Sequence, residues 1–468
     1  MPERKGWQIP GFLETTDGRL HMNGVDTTAL AREYGTPLFV FSEERIRHNI
    51  DRLKQAGDAI PCPLKVCYAA KAMSTMAILR AVKDAGIDIE VNSGGELWKA
   101  LKAGFTGNQI IFNGTSKEVW ELDMAIENSI YAIQVDSLYE LSLIEETARR
   151  LGKRASVSLR LVPEIQSGTH SGLQTALLTS KFGMMPDEAV EAFKQYKDSP
   201  HLDLCGIHLH VGSQNPDPAV YGDALAALFT ELARITNEAG VTLKHVNLGG
   251  GFPVDYLKDY GPDLPAAESE MLSANYAPRS AVAAAWQKAA DLYSPDVMSD
   301  LTILIEPGRS IAADAGVCLT TVRNQKERPV TETPHQRSLT TDNWLLTDAG
   351  FNILLSMETY KWYYHLISAS RAGQEHDFPY KLAGPLCDGG DVYFDVEGEQ
   401  RLPEFRLLPK DVRPGEVLAL LNCGAYSLAQ ASQYNGRPLP PVVLIRNDGI
   451  PELIRRRDSF QDLISSDL

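Results

Sequence analysis

The sequence predicts an α/β protein in two parts, a (β/α)8 TIM barrel followed by a β-rich domain, and three observations carry that expectation. The chain has 468 residues, 44% of them hydrophobic, which is too long for one small core and enough for two. From about residue 60 to residue 310, short apolar or β-branched runs alternate with longer stretches of helical period, the pattern of repeated strand-helix units. Beyond residue 310 the texture changes to strand-like runs separated by Pro, Gly and Asp turns.

Eight runs read as barrel strands: LKVCYA (64–69), DIEVN (88–92), QIIF (109–112), YAIQV (131–135), ASVSLRLV (155–162), LDLCGIHL (202–209), LKHVNL (243–248) and LTILIE (301–306). Segments such as MAILRAVKDAG, GELWKALKAG and LYELSLIEETARRLG supply the helices between them. Ahead of these, PLFVFS (37–42) reads as a strand and EERIRHNIDRLKQAG as a helix. Behind them, VCLTTV, WLLT, EVLALLN and PVVLIRN read as strands of the second domain. The expected division is a barrel over 36–310, with 1–35 and 311–468 together forming the β-rich part. QKERPVTETPHQRSLTTD (325–342) is polar and turn-rich and reads as a mobile surface loop. GPDLPAAESEMLSANYAPRS (261–280) reads either as an entrance-shaping segment or as a surface insertion.

Composition excludes several classes. The net charge is -16, and 61 acidic and 45 basic residues are mixed along the chain, whereas a nucleic-acid surface needs concentrated Lys and Arg. No run approaches the roughly eighteen apolar residues of a membrane span, and the N-terminus lacks the layout of a signal peptide, so the cytoplasm is the expected location. The six cysteines, at 62, 67, 205, 318, 387 and 423, have no CxxC spacing, which argues against a disulfide framework or a zinc site. Most read as small core residues; only Cys387 stands in a context that asks for chemistry.

The chemically ambitious polar residues fall just past the strands, where a barrel places its active site: Lys71, Ser93, Asn113, His210, the glycines 249–251, Glu306 and Arg309. Alone, Lys71 reads best as a solvated surface lysine. Its sharper reading is a lysine that holds an aldehyde cofactor, which further needs a phosphate site, a partner for a pyridine nitrogen and a group stacked on the ring. Gly249, Gly250 and Gly251 in VNLGGGFP follow a strand and could offer bare backbone N–H groups to an anion. A ligand-free tight turn explains them equally, and they match neither GxGxxG nor a P-loop. In ILIEPGRS, Glu306 could keep a pyridine nitrogen protonated and Arg309 could pair with phosphate or carboxylate; a structural Glu-Arg pair is the alternative. In GIHLHVGSQ, His208 reads as a core residue, while His210 lies beyond the strand, where it could lie flat against a ring, with Ser213 nearby. No carboxylate or cysteine stands at metal-ligand spacing from either histidine.

In this order, YAAKA, SGGEL, HLHVGSQ, NLGGGFP, EPGRS, GPLCDGGDVYF and GAYSLAQASQYNGRP resemble the fold-type III pyridoxal-phosphate decarboxylases, the group that contains diaminopimelate and ornithine decarboxylases. The match runs from about residue 35 to 440. The resemblance implies a barrel of the alanine-racemase type and pyridoxal 5'-phosphate as cofactor. It implies Lys71 as the cofactor lysine, His210 on the ring and Glu306 at the pyridine nitrogen. Phosphate would be held by Ser213, Gly249, Gly250, Gly251, Arg309 and Tyr426. It also implies a homodimer with shared sites, in which the partner subunit supplies Cys387, the candidate acid that reprotonates Cα, and Asp388. A racemase would need two opposed Cα acid/base groups, and a regulator without cofactor would be expected to lose Lys71, Glu306 or Cys387, all of which are present.

Departures from the family pattern bear on the substrate. Diaminopimelate decarboxylases usually read Cys-Glu-Ser where this chain has Cys387-Asp388-Gly389, and the latter resembles ornithine decarboxylases. The segment DAGFNILLSMETY offers Ser356 where an arginine usually grips a distal carboxylate, while Tyr360 keeps the later tyrosine. The loss of a bidentate guanidinium costs on the order of a few kcal/mol in carboxylate recognition. The expected substrate is therefore ornithine or lysine, in the manner of the bacterial D-ornithine/D-lysine decarboxylases. Diaminopimelate is the alternative, and a larger or carrier-bound amino acid is a third. Met73 for the usual Asn, and Glu90 for the usual Asp ahead of SGGE, are smaller departures.

Overall fold

The computed structural model describes residues 5–162, 165, 168–170, 180–258, 263–290, 301–329 and 341–468. The chain forms two compact units, Ile46–Pro253 with Ala274–Ile311, and Met1–Arg45 with Val254–Ser273 and Ala312–Leu468.

The first unit is a closed barrel of eight parallel strands. They are β1 (Leu64–Ala69), β2 (Asp88–Val91), β3 (Ile110–Phe112), β4 (Ala132–Val135), β5 (Ala155–Arg160), β6 (Leu202–His208), β7 (His245–Asn247) and β8 (Thr302–Ile305). All eight expected runs are strands. The ring closes where Ile303 pairs with Leu64. Strands covered on both faces read as apolar runs rather than as alternation, which is why they were legible. Inside the barrel, Cys67, Ile111 and Leu304 pack together with Tyr131 against them.

Local sequence fixes how each strand hands over to its helix. In SGGE the Ser93 hydroxyl accepts from the Glu96 N–H at 3.2 Å, and the Glu96 carboxylate accepts from the Asn92 N–H at 2.8 Å, a reciprocal cap on helix Gly94–Ala103. Ser137 and Glu140 repeat the arrangement on helix Leu138–Arg150, with Glu140 also paired to the buried Lys117 ammonium at 2.6 Å. These caps pin the carboxyl ends of β2 and β4.

The second unit is a nine-stranded sheet with a small N-terminal meander of three strands. Its long strands Gly316–Pro329 and Thr341–Thr347 pair antiparallel, and Gly316–Pro329 also pairs with Leu38–Ser42. Leu38–Ser42, grouped with the barrel on sequence, thus lies inside this sheet, where all five of its residues are buried. The polar segment 325–342 departs from the loop expectation. Its two ends, 325–329 and 341–342, continue the paired strands, while 330–340 falls outside the described residues. Both faces of that ribbon end are polar, so no period-2 signal marks it; Lys326 and Lys381 instead sit over the Trp344 ring, at 5.6 and 5.8 Å. Of the 261–280 segment, 261–262 lie outside the described residues; Ala266–Ser273 is a helix, and a second helix, Pro278–Ala289, begins within it.

No described helix is long and apolar enough to cross a membrane. Gly206 in β6 is required by packing, since a Cβ there would lie 2.2 Å from the His245 ring. Gly206→Ala is expected to cost about 1–3 kcal/mol through overpacking. At Gly95 a Cβ would meet nothing closer than the Ser93 hydroxyl at 3.7 Å, so Gly95→Ala should be close to neutral. Thermal unfolding of the two variants checks this, and equal melting temperatures would contradict it.

Candidate active site

Lys71 stands in a single helical turn, Ala70–Ala72, directly after β1. Ala70, Ala72 and Met73 are buried while Lys71 is exposed, so the turn is anchored by its apolar members and projects the amine. Two contacts hold it. The Tyr68 hydroxyl donates to the Met73 carbonyl at 3.0 Å, and the Ala69 N–H donates to the Pro307 carbonyl at 3.0 Å. Gly308 must be glycine for that approach, because a Cβ would come within 3.0 Å of Ala69 and Ala72.

Pro307 and Gly308 follow Glu306, whose carboxylate is buried at the barrel mouth. One oxygen accepts from Asn247 Nδ2 at 2.7 Å and the other from Asn113 Nδ2 at 3.0 Å, with His208 Nε2 at 3.5 Å. Burial opposes the charge of Glu306, but His208 and the Asn247 amide outweigh it and hold the carboxyl below its ordinary range. Burial pushes His208 the other way, toward the neutral form. His208 is therefore buried, as its alternation predicted, yet it belongs to the polar cluster rather than to the apolar core.

The three glycines pack against this cluster. A Cβ on Gly249 would lie 2.5 Å from His210 Nδ1, one on Gly250 2.4 Å from the Glu306 carbonyl, and one on Gly251 2.4 Å from Asn215 Nδ2. Their N–H groups correct the expectation of three bare donors. Gly249 donates to Asn247 Oδ1 and Gly250 to His210 Nδ1, both at 2.9 Å, which leaves Gly251 to offer one to an anion. As an acceptor, His210 Nδ1 carries no proton. Burial, with Lys71 and Arg160 nearby, holds the ring well below its ordinary pKa, so a neutral imidazole stands at the mouth. Ser213 accepts from Arg309 Nε at 3.2 Å, fixing a nearly buried guanidinium beside a hydroxyl. That pairing suits a phosphate better than a point charge would.

The barrel thus brings together Lys71, His210, the 249–251 glycines and Glu306, and it links Ser213 to Arg309. Asn113 was noted at a strand end without a role, and Asn247, Arg160 and the Glu306 contact of His208 went unread. All four end or follow strands β3, β7, β5 and β6, so the strand-end rule that located Lys71 could have located them.

The other expected residues lie in the second unit. Asp391 organises them, accepting from the Leu386 N–H at 2.8 Å and the Phe351 N–H at 2.9 Å, which ties the DAGF and PLCDGGD segments together. Gly350 and Gly384 make room for it, since a Cβ on either would sit within 2.6 Å of its carboxylate. The tie leaves Cys387, Asp388 and Gly389 exposed on a loop. Asp388 accepts from the Tyr434 hydroxyl at 3.2 Å, and the Cys387 N–H donates to Asn435 Oδ1 at 2.6 Å. The remaining five cysteines are buried, and burial pushes their thiols up, Cys62 to about 11 and Cys205 to about 12. Ser356 is buried, its hydroxyl within reach of the Tyr426 carbonyl at 3.4 Å and Gln430 Oε1 at 3.3 Å. Tyr426 is half-buried at a φ of 57°, and Tyr360 is half-buried at the end of helix Leu355–Thr359. Tyr434, Asn435 and Gln430 were not anticipated; they lie within the GAYSLAQASQYNGRP motif but carry no separate signal.

A projecting lysine, a buried carboxylate and a guanidinium-hydroxyl pair at the carboxyl ends of barrel strands suit an enzyme that holds a phosphorylated aldehyde with a basic ring nitrogen. Residues 45–313 match the pyridoxal binding domain of the pyridoxal-dependent decarboxylases. The chain belongs to that family: it is an amino-acid decarboxylase whose cofactor is pyridoxal phosphate. It is 34% identical over 454 residues to diaminopimelate decarboxylase of Bacillus subtilis (strain 168), covering 96% of this chain and 95% of that one. With the Methanocaldococcus jannaschii diaminopimelate decarboxylase it shares 33% over 462 residues, 97% and 96% of the two chains. The crystal structure of the Methanocaldococcus jannaschii enzyme in complex with L-lysine superposes with a TM-score of 0.82, at 32% identity and 99% coverage of both chains.

Ser213→Ala would leave Arg309 without its hydroxyl partner and remove one phosphate contact. Pyridoxal phosphate is then expected to bind on the order of tenfold more weakly, the scale of one hydrogen bond to a charged group. Equilibrium titration of the cofactor-free protein measures this, and an unchanged Kd would remove Ser213 from the phosphate site.

Proposed function

We propose that the chain removes the α-carboxylate of a diamino acid and that meso-diaminopimelate is its substrate. One observation carries the choice: the relatives matched over nearly the whole chain at 33–34% identity are diaminopimelate decarboxylases. The relatives favour this over the ornithine or lysine expected from the sequence.

When bound, pyridoxal phosphate supplies the electron sink that accepts the charge left at Cα as CO2 departs. The protein's part is to place and protonate. Lys71 must give up its ammonium proton to act as a nucleophile. Glu306, ionised and held by two amides, would keep a proton at the ring nitrogen. Neutral His210 would pack against the ring without competing for that proton. Ser213, Arg309 and Gly251 would bind the phosphate. Cys387, exposed on its loop, delivers a proton to Cα, and in a homodimer it and Asp388 serve the partner subunit's site.

A second reading, a basic amino acid such as ornithine or lysine, is favoured by Ser356. That side chain is short, buried and occupied by Tyr426 and Gln430, so it cannot grip a distal carboxylate as a guanidinium would. Asp388, exposed beside Tyr434, has the charge to meet a distal ammonium.

Release of CO2 from meso-diaminopimelate, and from the two enantiomers each of lysine and ornithine, decides between them. Diaminopimelate is expected to lead, and a preference for lysine or ornithine would reverse the assignment. In the latter case Ser356→Arg should raise kcat/KM for diaminopimelate roughly tenfold or more. Lys71→Ala is expected to lose the visible absorbance of bound cofactor. Sharing of sites is checked by mixing inactive Lys71→Ala with inactive Cys387→Ala; random reassortment of dimers should restore about a quarter of wild-type activity. No recovery would mean that each subunit uses its own cysteine.

A further inference from the structure

Glu90 lies on β2 and stands where the family usually carries an aspartate. Its carboxyl reaches one methylene farther than an aspartate's would, and at that reach Oε1 accepts from Asn113 Nδ2 at 2.8 Å. The same nitrogen donates to Glu306 Oε2 at 3.0 Å. Glu90 is fully buried, and its Oε2 has no hydrogen-bond partner among the described residues.

Two carboxylates on one amide nitrogen in a buried site repel strongly, and such a pair loses its two protons in separate steps. Their partners decide which keeps a proton. Glu306 has the Asn247 amide and His208 as well as Asn113, whereas among the described residues Asn113 alone donates a hydrogen bond to Glu90.

We propose that Glu90 and Glu306 form a carboxyl pair carrying one negative charge, with the proton on Glu90, so that a single carboxylate faces the pyridine nitrogen. Glu90 is a positioning residue acting through Glu306. The pair's task rests on the role given to Glu306 above; its protonation does not.

The groups facing Glu90 are Lys71 and Cys67 from β1 and the turn after it, Glu96 from the following helix, Arg160 at the end of β5, and Glu306 after β8. Burial is the strongest influence and pushes Glu90 up to about 8; Lys71 opposes it, while Glu306 and Glu96 add to it. A carboxyl raised on folding stays protonated in the native state where the unfolded chain has already released its proton, between 4.5 and about 8. Its contribution to stability therefore falls as pH rises through that window and is constant above it.

The test is thermal unfolding of the full chain without added cofactor, wild type against Glu90→Gln, from pH 5 to pH 9. The neutral variant has nothing to ionise, so its melting temperature should gain on wild type by on the order of 5 °C between pH 5 and 8, then hold level. A constant or shrinking gap would mean that Glu90 is ionised and would overturn the pair. If Glu90→Gln does not fold, Glu90→Met, neutral and of similar length, makes the same comparison; failure of both variants to fold would show that the charge is required, again against the proposal. Addition of pyridoxal phosphate separates this from the functional reading. A wild-type protein that gains no visible absorbance overturns the cofactor reading, while the thermal comparison still decides the pair.

Discussion

A buried negative charge is tolerated only where the surrounding groups replace its water, and the barrel mouth is organised around that requirement at Glu306. Two asparagine amides and a histidine surround the carboxylate, and each comes from the end of a different strand. The cluster can form only when β3, β6, β7 and β8 are in their closed register. Stability of the barrel and readiness of the site are consequences of the same hydrogen bonds.

The glycine segment follows from this arrangement. With side chains at 249–251, the loop could not approach the Glu306 carbonyl and the His210 ring closely enough to donate to Nδ1. That donation fixes the neutral tautomer of His210. Asp391 plays the corresponding part in the second unit, where one buried carboxylate ties two loops and forces glycine at both crossing points. In both units, glycines that could pass for flexible spacers are sites of close packing.

The residues that suit the cofactor and those proposed to face the substrate lie in different parts of this chain. The groups that suit the cofactor occupy rigid strand ends, where small changes of side chain disrupt a shared network. Ser356, Tyr360 and Asp388, the residues proposed to face the substrate, stand instead on a short helix and a loop of the second unit. The departures from the diaminopimelate pattern at 356 and 388 can therefore coexist with close overall similarity to diaminopimelate decarboxylases.

The sequence by itself determined the eight barrel strands, because strands covered on both faces appear as uninterrupted apolar runs, and it located Lys71, His210, Glu306 and Arg309, because a barrel collects its chemistry just past those runs. It also marked Glu90, Ser356 and Asp388 as departures. It could not indicate that Leu38–Ser42 belongs to the second sheet, since β pairing is a long-range choice and that strand's partners lie hundreds of residues away at Gly316–Pro329 and Val442–Ile445. Nor could it reveal the polar end of the long ribbon, which has no alternation to read. Only the tertiary structure decided that Asn113 lies between Glu90 and Glu306 and that two of the three glycine N–H groups are already engaged. Hydrogen-bond partners are fixed by distances across the closed barrel, and those distances do not exist until its last strand pairs with its first.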